Sequence, residues 1–191
     1  MDASAGAVAG PDGKPRCPWA LGTEIMLAYH DDEWGWPVHD DRALFERLCL
    51  EAFQSGLSWL TILRKRENFR AAFAGFDPAV VAAFGPDDVA RLLADAGIVR
   101  NRAKIEAAIA NAAAALELPG GLAALVWTYA DPAQPAPKTV ADVPASTPAA
   151  KALSADLRRH GFRFTGPVTA YATMQACGLV DDHLAGCYRR G

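Results

Sequence analysis

Apolar residues recur at spacings of three and four between residue 40 and residue 176, which is the pattern of amphipathic helices. The first such block places Leu44 and Leu48 on one face, after Asp40 or Asp41 as a cap. Proline and glycine delimit the later blocks, which predict helices over 57–63, 78–84, 86–96, 103–116, 121–129, 148–160 and 167–176. Alternating apolar and polar positions are nearly absent, and Phe162–Thr165 is the only short strand candidate. An all-α domain is therefore predicted.

Two stretches lack the helical pattern. Residues 1–15 are rich in alanine, glycine, proline and aspartate, which predicts a flexible N-terminal extension. Residues 130–148 are rich in proline and predict a long loop between helices, too short to separate two domains. We therefore expect one folded domain over residues 16–191.

Composition narrows the class of protein. A chain of 191 residues with 51% hydrophobic and 21% charged residues is neither disordered nor too small for one sizeable core. The net charge of −3 excludes a strongly basic coat but allows a local basic face. No apolar run approaches the length of a membrane span and no signal peptide is evident, so we expect a cytoplasmic protein. Its four cysteines are then expected to be thiols or metal ligands. A monomer is the default expectation, since the sequence does not reveal the oligomeric state.

Four residues could bind a metal. His183 and Cys187 are four apart, which places both on one face of a helical turn, while Cys17 and His30 lie near the other end of the chain. Two cysteines and two histidines suit tetrahedral zinc with no open position, a structural site that would join the two chain ends. The alternative is that Cys187 is a tail cysteine and the histidines are ordinary surface residues.

A carboxylate lies among aromatic residues. Glu51 ends the first apolar block and precedes the Gly56–Trp59 segment, while Trp19 and Tyr29 lie upstream. A carboxylate in an apolar setting is paired, exposed or functional. Aromatic rings around it would suit a planar ligand that stacks on them and is hydrogen-bonded at its edge. The alternative is a solvated glutamate at a helix end, with the aromatic residues in the core.

Residues 88–116 predict a helix, a tight turn and a second helix. Gly97 would allow a positive φ in the turn. The free N–H groups of the second helix, flanked by Arg100, Arg102 and Lys104, could bind a phosphate. The alternative is that these charges only complement the helix dipole and solvate the surface.

Five segments together match a known family: RCPWA, LAYHDDEWG, LFERLCLEAFQSGLSWLTILRKRENFR, DAGIVRNRAKI and MQACGLVDDHLAGC. From Cys17 to Cys187 the chain resembles the Tag family of 3-methyladenine DNA glycosylases, which are helix-hairpin-helix enzymes of base excision repair. The resemblance implies an all-α helix-hairpin-helix glycosylase fold with one structural zinc ion. It assigns the zinc ligands as Cys17, His30, His183 and Cys187.

The same resemblance implies a pocket for a flipped base and a turn that fills the gap left in the DNA. Glu51 matches the catalytic residue of this pocket. The further site residues are Trp19, Tyr29, Trp59, Met26 and Phe53 for the base, and Gly56, Leu57, Gly97, Arg100, Arg102 and Lys104 for DNA. Two positions depart from the family pattern: Met26 stands where a second pocket tyrosine is common, and Val99 where the hairpin commonly has glycine.

The activity implied is hydrolysis of the N-glycosidic bond of 3-methyladenine in alkylated double-stranded DNA, without a lyase step. A purine alkylated at N3 is cationic and leaves as a neutral base, so no strong general acid is needed. Tyr29 and Trp59 can face the cationic ring, and an ionised Glu51 can accept hydrogen bonds from its exocyclic amine. Four protein ligands leave the zinc no place for water, so it should not catalyse.

Two other functions remain open at this point. A non-catalytic module could bind the lesion through the same pocket without releasing the base, and Met26 keeps that alternative open. A metallohydrolase could use His30 and His183 to hold a catalytic zinc, although two added cysteine ligands argue against the open position that it needs.

Overall fold

The computed structural model describes Asp2, residues 4–131 and residues 134–190. Nine α-helices lie within this part of the chain, with short 3-10 helices at Pro18–Gly22, Ala74–Phe76 and Val140–Asp142. The mostly helical fold that the sequence predicts is confirmed. The α-helices are α1 (Glu24–Asp32), α2 (Asp41–Gln54), α3 (Trp59–Ala72), α4 (Pro78–Ala82), α5 (Pro86–Ala94), α6 (Arg102–Leu116), α7 (Gly121–Trp127), α8 (Pro148–Arg159) and α9 (Pro167–Ala176).

Short polar side chains cap the helices where the sequence predicts that they begin. Asp40 Oδ1 accepts from the backbone N–H of Ala43 at 2.8 Å, which caps α2. Ser58 Oγ accepts from the N–H of Thr61 at 3.2 Å at the start of α3. The first turn of each helix leaves such N–H groups without partners in the backbone, so these caps fix where the helices start.

Three features differ from the predicted elements. Helix α1 lies in a stretch without a clear apolar period, and its visible signal is the cap Thr23, whose Oγ1 accepts from the N–H of Met26 at 3.4 Å. Phe162–Thr165 is not a strand, because Phe164 adopts a left-handed φ of 56° that breaks any extended run. Val8–Ala9 instead pairs with Pro15–Arg16 as a two-residue antiparallel ladder. The flexibility of residues 1–15 stays a prediction, and Met1 and Ala3 lie outside the described residues.

Helix α2 is central to the core. It packs against α3, α6, α7 and α9, and every residue from Leu48 to Phe53 is buried. One end of this helix is closed by phenylalanine rings, with the Phe53 centroid 4.7 Å from that of Phe69 and 5.7 Å from that of Phe73. Within this buried stretch of α2, Glu51 carries the one carboxyl group.

Helix α6 is 15 residues long and rich in alanine. No single helix in the described ranges is long and apolar enough to cross a membrane. The α6 and α7 pair has the necessary length and composition only across a bend of 92°.

Candidate active-site pocket

A cavity of about 330 Å³ lies where the start of the domain meets α2, α3, α9 and the C-terminal segment. This volume and its mostly apolar wall are typical of a small-molecule site. The wall is formed by Cys17, Trp19, Met26, Tyr29, Trp34, Glu51, Gln54, Trp59, Val140, Val143, Ala172, Gln175, Asp182 and Leu184. The structure thus brings together Trp19, Tyr29, Glu51 and Trp59, which are far apart in the sequence.

Aromatic rings form one side of the cavity. Tyr29 on α1 lies 5.2 Å from Trp59, the first residue of α3, measured between ring centroids. Trp19 in the first 3-10 helix lies 6.4 Å from Tyr29 and 5.0 Å from Trp34. The indole Nε1 of Trp59 is buried and has no acceptor among the residues that the structure describes. The cavity therefore offers aromatic ring faces to a ligand.

Glu51 is the acidic group on the α2 side of the cavity. Its side chain is buried, with the residue 7% exposed, and it accepts no hydrogen bond from the described residues. Burial raises the pKa of Glu51 to about 8, and the charge of Arg47 one turn earlier opposes this shift only in part. Burial thus favours the neutral carboxyl group in the protein alone, while the ionised Glu51 expected with a bound cationic base stays a prediction. A cation in the cavity would favour the ionised form.

Two residues predicted to bind the base have different positions. Met26 lines the cavity. Phe53 does not, since it is 1% exposed and its ring packs against Phe69 and Phe73. Phe53 lies two residues after Glu51 on α2, and that spacing turns the two side chains to different sides of a helix. Phe53 is therefore a core residue.

The turn between α2 and α3 carries an exposed apolar side chain. Gly56 has a φ of 82°, which favours glycine, and the N–H of Leu57 donates to the Gln54 carbonyl at 2.6 Å. Leu57 is 43% exposed. Because Gln54 lines the cavity, this apolar tip lies beside its rim.

Lys104 is not a free cation. Only 8% of the residue is exposed, and Nζ donates to the carbonyl oxygens of Phe53 at 2.9 Å and of Ser55 at 2.6 Å. The prediction that Lys104 contacts DNA is therefore wrong, because its ammonium caps the C-terminus of α2. Lys104 joins the start of α6 to the Gly56–Leu57 turn. This role can be seen only in the tertiary structure.

The turn between α5 and α6 lies where the sequence predicts it, but glycine is needed at position 97 for a different reason. Gly97 has no positive φ; a Cβ there would instead lie 3.1 Å from Asn68, so glycine permits close approach to α3. Lys65 of α3 donates to the Ala96 carbonyl at 2.9 Å and holds the turn. Arg100 and Arg102 are exposed on the other side and remain available to a phosphate.

Three of the four predicted metal ligands form one buried cluster. The ligand atoms of Cys17, His30 and Cys187 all lie within 4.8 Å of one another, and His30 Nε2 is 3.4 Å from the Cys187 sulfur. Hydrogen bonds from Cys17 and His30 lower the pKa of the Cys187 thiol below its usual range. His183 lies outside that group of three, with its ring centroid 5.1 Å from that of His30.

Carboxylates orient both histidines of this region. His30 Nδ1 lies 2.8 Å from Asp31, and His183 Nδ1 lies 2.8 Å from Asp181. Each Nε2 is thereby turned away from its carboxylate, toward the Cys187 sulfur in the case of His30, which is the arrangement common around ligating histidines. The buried Nε2 of His183 has no hydrogen-bond partner within the described residues. The donor set therefore fits a soft divalent metal such as zinc.

Several cavity residues escaped the sequence reasoning. Gln54, Gln175 and Asp182 all line the wall. Gln175 and Asp182 lie inside the segment MQACGLVDDHLAGC, so their membership in a matching segment was the available signal. Their polar groups could not be placed from spacing alone, since helix α9 carries one and the following loop the other.

Comparison with known proteins identifies relatives over nearly the whole chain. The methyladenine glycosylase family model matches residues 19–190. DNA-3-methyladenine glycosylase 1 of Escherichia coli (strain K12) is 48% identical over 177 residues, which are 90% of this chain and 95% of that protein. Similarity at this level extends far beyond the cavity.

Solved structures agree with the sequence relatives. A crystal structure of 3-methyladenine DNA glycosylase I superimposes with a TM-score of 0.89 at 46% identity, covering 92% of this chain and 100% of that one. A structure that addresses 3-methyladenine recognition by the Staphylococcus aureus enzyme gives a TM-score of 0.84 at 38% identity, covering 89% of this chain and 94% of that one. The helical framework around the cavity is thus shared with these proteins.

Proposed function

Because the chain belongs to the methyladenine glycosylase family, we propose that it excises 3-methyladenine from alkylated double-stranded DNA in base excision repair. The reaction is hydrolysis of the N-glycosidic bond after the nucleotide is flipped out of the duplex. The observation that carries this proposal is a carboxyl group buried in an aromatic cavity of base size. We expect the protein to act as a cytoplasmic monomer.

Recognition begins with the positive charge of the alkylated purine. Tyr29 and Trp59 supply ring faces to that charge, and each favourable contact contributes about 0.5–2 kcal/mol. Normal adenine is neutral and lacks this attraction. The aromatic wall therefore selects the damaged base through its charge.

Glu51 supplies the opposite charge once the base enters. Burial favours its neutral form in the protein alone, whereas a cationic base reverses that preference. The resulting carboxylate accepts a hydrogen bond from the exocyclic amine. Entry of the cationic base thus expels a proton from Glu51, and the charge pair forms only with an alkylated base.

Bond cleavage then needs water rather than a strong acid. The purine leaves as a neutral base, water adds to the sugar carbon, and a proton is released to solvent. No lysine lines the cavity among the described residues, so the proposal contains no Schiff-base or lyase step. The products are free 3-methyladenine and an abasic site.

DNA binding uses two surface turns. The Gly56–Leu57 turn fills the gap left by the flipped nucleotide, which the exposed Leu57 side chain supports. The segment between α5 and α6 acts as the hairpin of a helix-hairpin-helix motif. There the start of α6, with Arg100 and Arg102, binds a phosphate.

Cys17, His30, His183 and Cys187 would hold one zinc ion. The paired histidine–carboxylate contacts and the free Nε2 of His183 support this assignment. When bound, the ion cross-links the N-terminal and C-terminal segments that both contribute to the cavity wall. Its four protein ligands leave no position for water, so it is structural.

The test is release of free bases from methylated duplex DNA, resolved by chromatography. We expect the parent to release 3-methyladenine and Glu51→Gln to be slower by about 100-fold, the loss of one charge-assisted contact in the transition state. Glu46→Gln is the matched control: it lies on the same helix but pairs with Arg70 at 2.7 Å, so its activity should equal that of the parent.

Other outcomes would favour the alternative functions. Binding of methylated DNA by a folded parent without base release would indicate a lesion-binding module. Loss of activity on metal removal with the fold retained would indicate a catalytic metal. Normal release by Glu51→Gln would remove Glu51 from the mechanism.

A further inference from the structure

A second buried carboxyl group, that of Asp182, lines the cavity, and both of its oxygens accept hydrogen bonds. Asp182 is 3% exposed. Its Oδ1 accepts from Gln134 Nε2 at 2.6 Å, and its Oδ2 accepts from Tyr171 Oη at 2.5 Å and from Gln175 Nε2 at 2.6 Å. Three neutral donors thus converge on one buried carboxylate.

This network fixes the orientation of the Gln175 amide. Gln175 Nε2 donates to Asp182 Oδ2 at 2.6 Å, so the NH₂ group of Gln175 faces Asp182. Its carbonyl oxygen Oε1 then points to the other side of the amide. The described residues supply no donor to Oε1, and Gln175 lines the cavity. The wall therefore carries a pre-oriented acceptor without a protein partner.

We propose that Gln175, oriented by Asp182, is a specificity residue whose Oε1 accepts a hydrogen bond from the exocyclic amine of the alkylated adenine. This inference rests on the proposed function. The ring of an N3-alkylated adenine in DNA has no N–H donor besides that amine, so it is the complementary group. The amine has two hydrogens, one for Glu51 and one for Gln175.

The same acceptor disfavours a purine with an oxygen at that position. A carbonyl there would bring its lone pairs against those of Oε1, and neither group has a hydrogen to share. The Gln175 amide cannot rotate to donate instead, because its carbonyl would then face the Asp182 carboxylate. The hydrogen-bond network thus holds the Gln175 amide in one orientation, and this fixed orientation disfavours the 6-oxo base.

The first experiment compares binding of two free bases, 3-methyladenine and its 6-oxo counterpart 3-methylhypoxanthine, by tryptophan fluorescence. Gln175→Met keeps the length of the side chain and removes the acceptor. We expect it to raise the Kd for 3-methyladenine about tenfold and to leave the Kd for the 6-oxo base unchanged or lower. Base-release kinetics should show the same loss in kcat/KM for 3-methyladenine.

A second variant tests the orienting role of Asp182. Asp182→Asn can donate to Gln175, so the amide can rotate and present its NH₂ group to the cavity. We expect tighter binding of the 6-oxo base and weaker binding of 3-methyladenine. Tyr129→Phe is the matched control, since it removes a 2.6 Å tyrosine–aspartate hydrogen bond, to Asp156, away from the cavity wall. Its preference should equal that of the parent.

Each result separates this inference from the proposed function. A Gln175→Met protein with unchanged Kd values and a lower kcat would overturn it and indicate that Oε1 orients the attacking water. Equal weakening for both bases would overturn it in favour of a purely structural role. A folded parent that neither binds nor releases 3-methyladenine would instead refute the proposed function.

Discussion

The two carboxyl groups of the cavity, those of Glu51 and Asp182, are similarly buried but differ in their hydrogen bonds. Asp182, on the C-terminal side, accepts three hydrogen bonds. Glu51, on the α2 side, accepts none within the described ranges, and burial raises its pKa. The difference teaches that donors, more than depth, decide what a buried carboxylate does. Asp182 is committed to holding neighbouring side chains, whereas Glu51 is left for a ligand.

Metal removal should have the largest effect on stability, and the segment that contains Asp182 should be affected most. Chelation is expected to lower the free energy of unfolding by more than about 5 kcal/mol, because a structural zinc site contributes directly to folding. Hydrogen exchange should then rise more in residues 181–187 than in α2. Protein purified without chelator that contains no zinc would contradict the assignment, and uniform exchange would remove the contrast between the two sides.

Replacing Glu51 should stabilise the protein at high pH. Its pKa rises from an ordinary 4.5 to about 8 on folding, so its contribution to stability is complete below pH 4.5 and is lost as pH rises through 8. Glu51→Gln removes this dependence. Near pH 9 its free energy of unfolding should exceed that of the parent by on the order of 3–5 kcal/mol, with the excess gone near pH 4. Denaturant melts at both pH values measure this, with Glu46→Gln as control.

Activity should depend on the same proton. Glu51 must be ionised to oppose the cationic base, so kcat/KM should fall about tenfold per pH unit below pH 8, or about 100-fold at pH 6. The neighbouring groups do not titrate there, since burial raises the pKa of Tyr29 further above its usual range and that of Cys177 to about 12, and Arg47 stays charged. A flat profile between pH 6 and pH 8 would show that Glu51 is ionised before the base arrives.

Truncating Asp182 should destabilise the protein, whereas truncating Glu51 should not. Asp182→Ala leaves the donors of Tyr171 and Gln175 without an acceptor and leaves Gln134 Nε2 only its 3.1 Å contact with Tyr171 Oη, which should lower the free energy of unfolding by about 2–3 kcal/mol. Thermal melts of both alanine variants near pH 8 compare them directly, with zinc content checked because His183 is adjacent. Equal destabilisation by the two variants would contradict the proposed difference between Asp182 and Glu51.

Replacing Lys104, which lies on the Glu51 side of the cavity, should have the smallest effect on stability. Lys104→Met loses two hydrogen bonds to the carbonyls at the end of α2, which should lower stability by about 1–2 kcal/mol. Arg102→Met is the control, because Arg102 is exposed and its contact with Glu106 is a long 3.4 Å. Similar melting temperatures for the two variants would show that Lys104 does not support this turn.

Much of the framework follows from the sequence alone. Local signals, such as Asp40 before α2, Ser58 before α3 and Gly85–Pro86 before α5, place the helices because capping and backbone geometry act within a few residues. The same local reasoning fails for α1, whose apolar residues lack a clear period. The segments that match the family were enough to predict that Trp19, Tyr29 and Trp59 line one cavity.

Only the tertiary structure decided how the charged and polar groups of that cavity are used. Phe53 and Glu51 are both buried on α2, yet only Glu51 faces the cavity. Lys104 has the sequence context of a phosphate ligand but caps a helix 51 residues away. The protonation of Glu51 and the orientation of Gln175 depend on which donors and charges pack beside them from distant segments. Helix formation is local, whereas electrostatic and hydrogen-bonding environments are set by neighbours that the chain brings together only on folding.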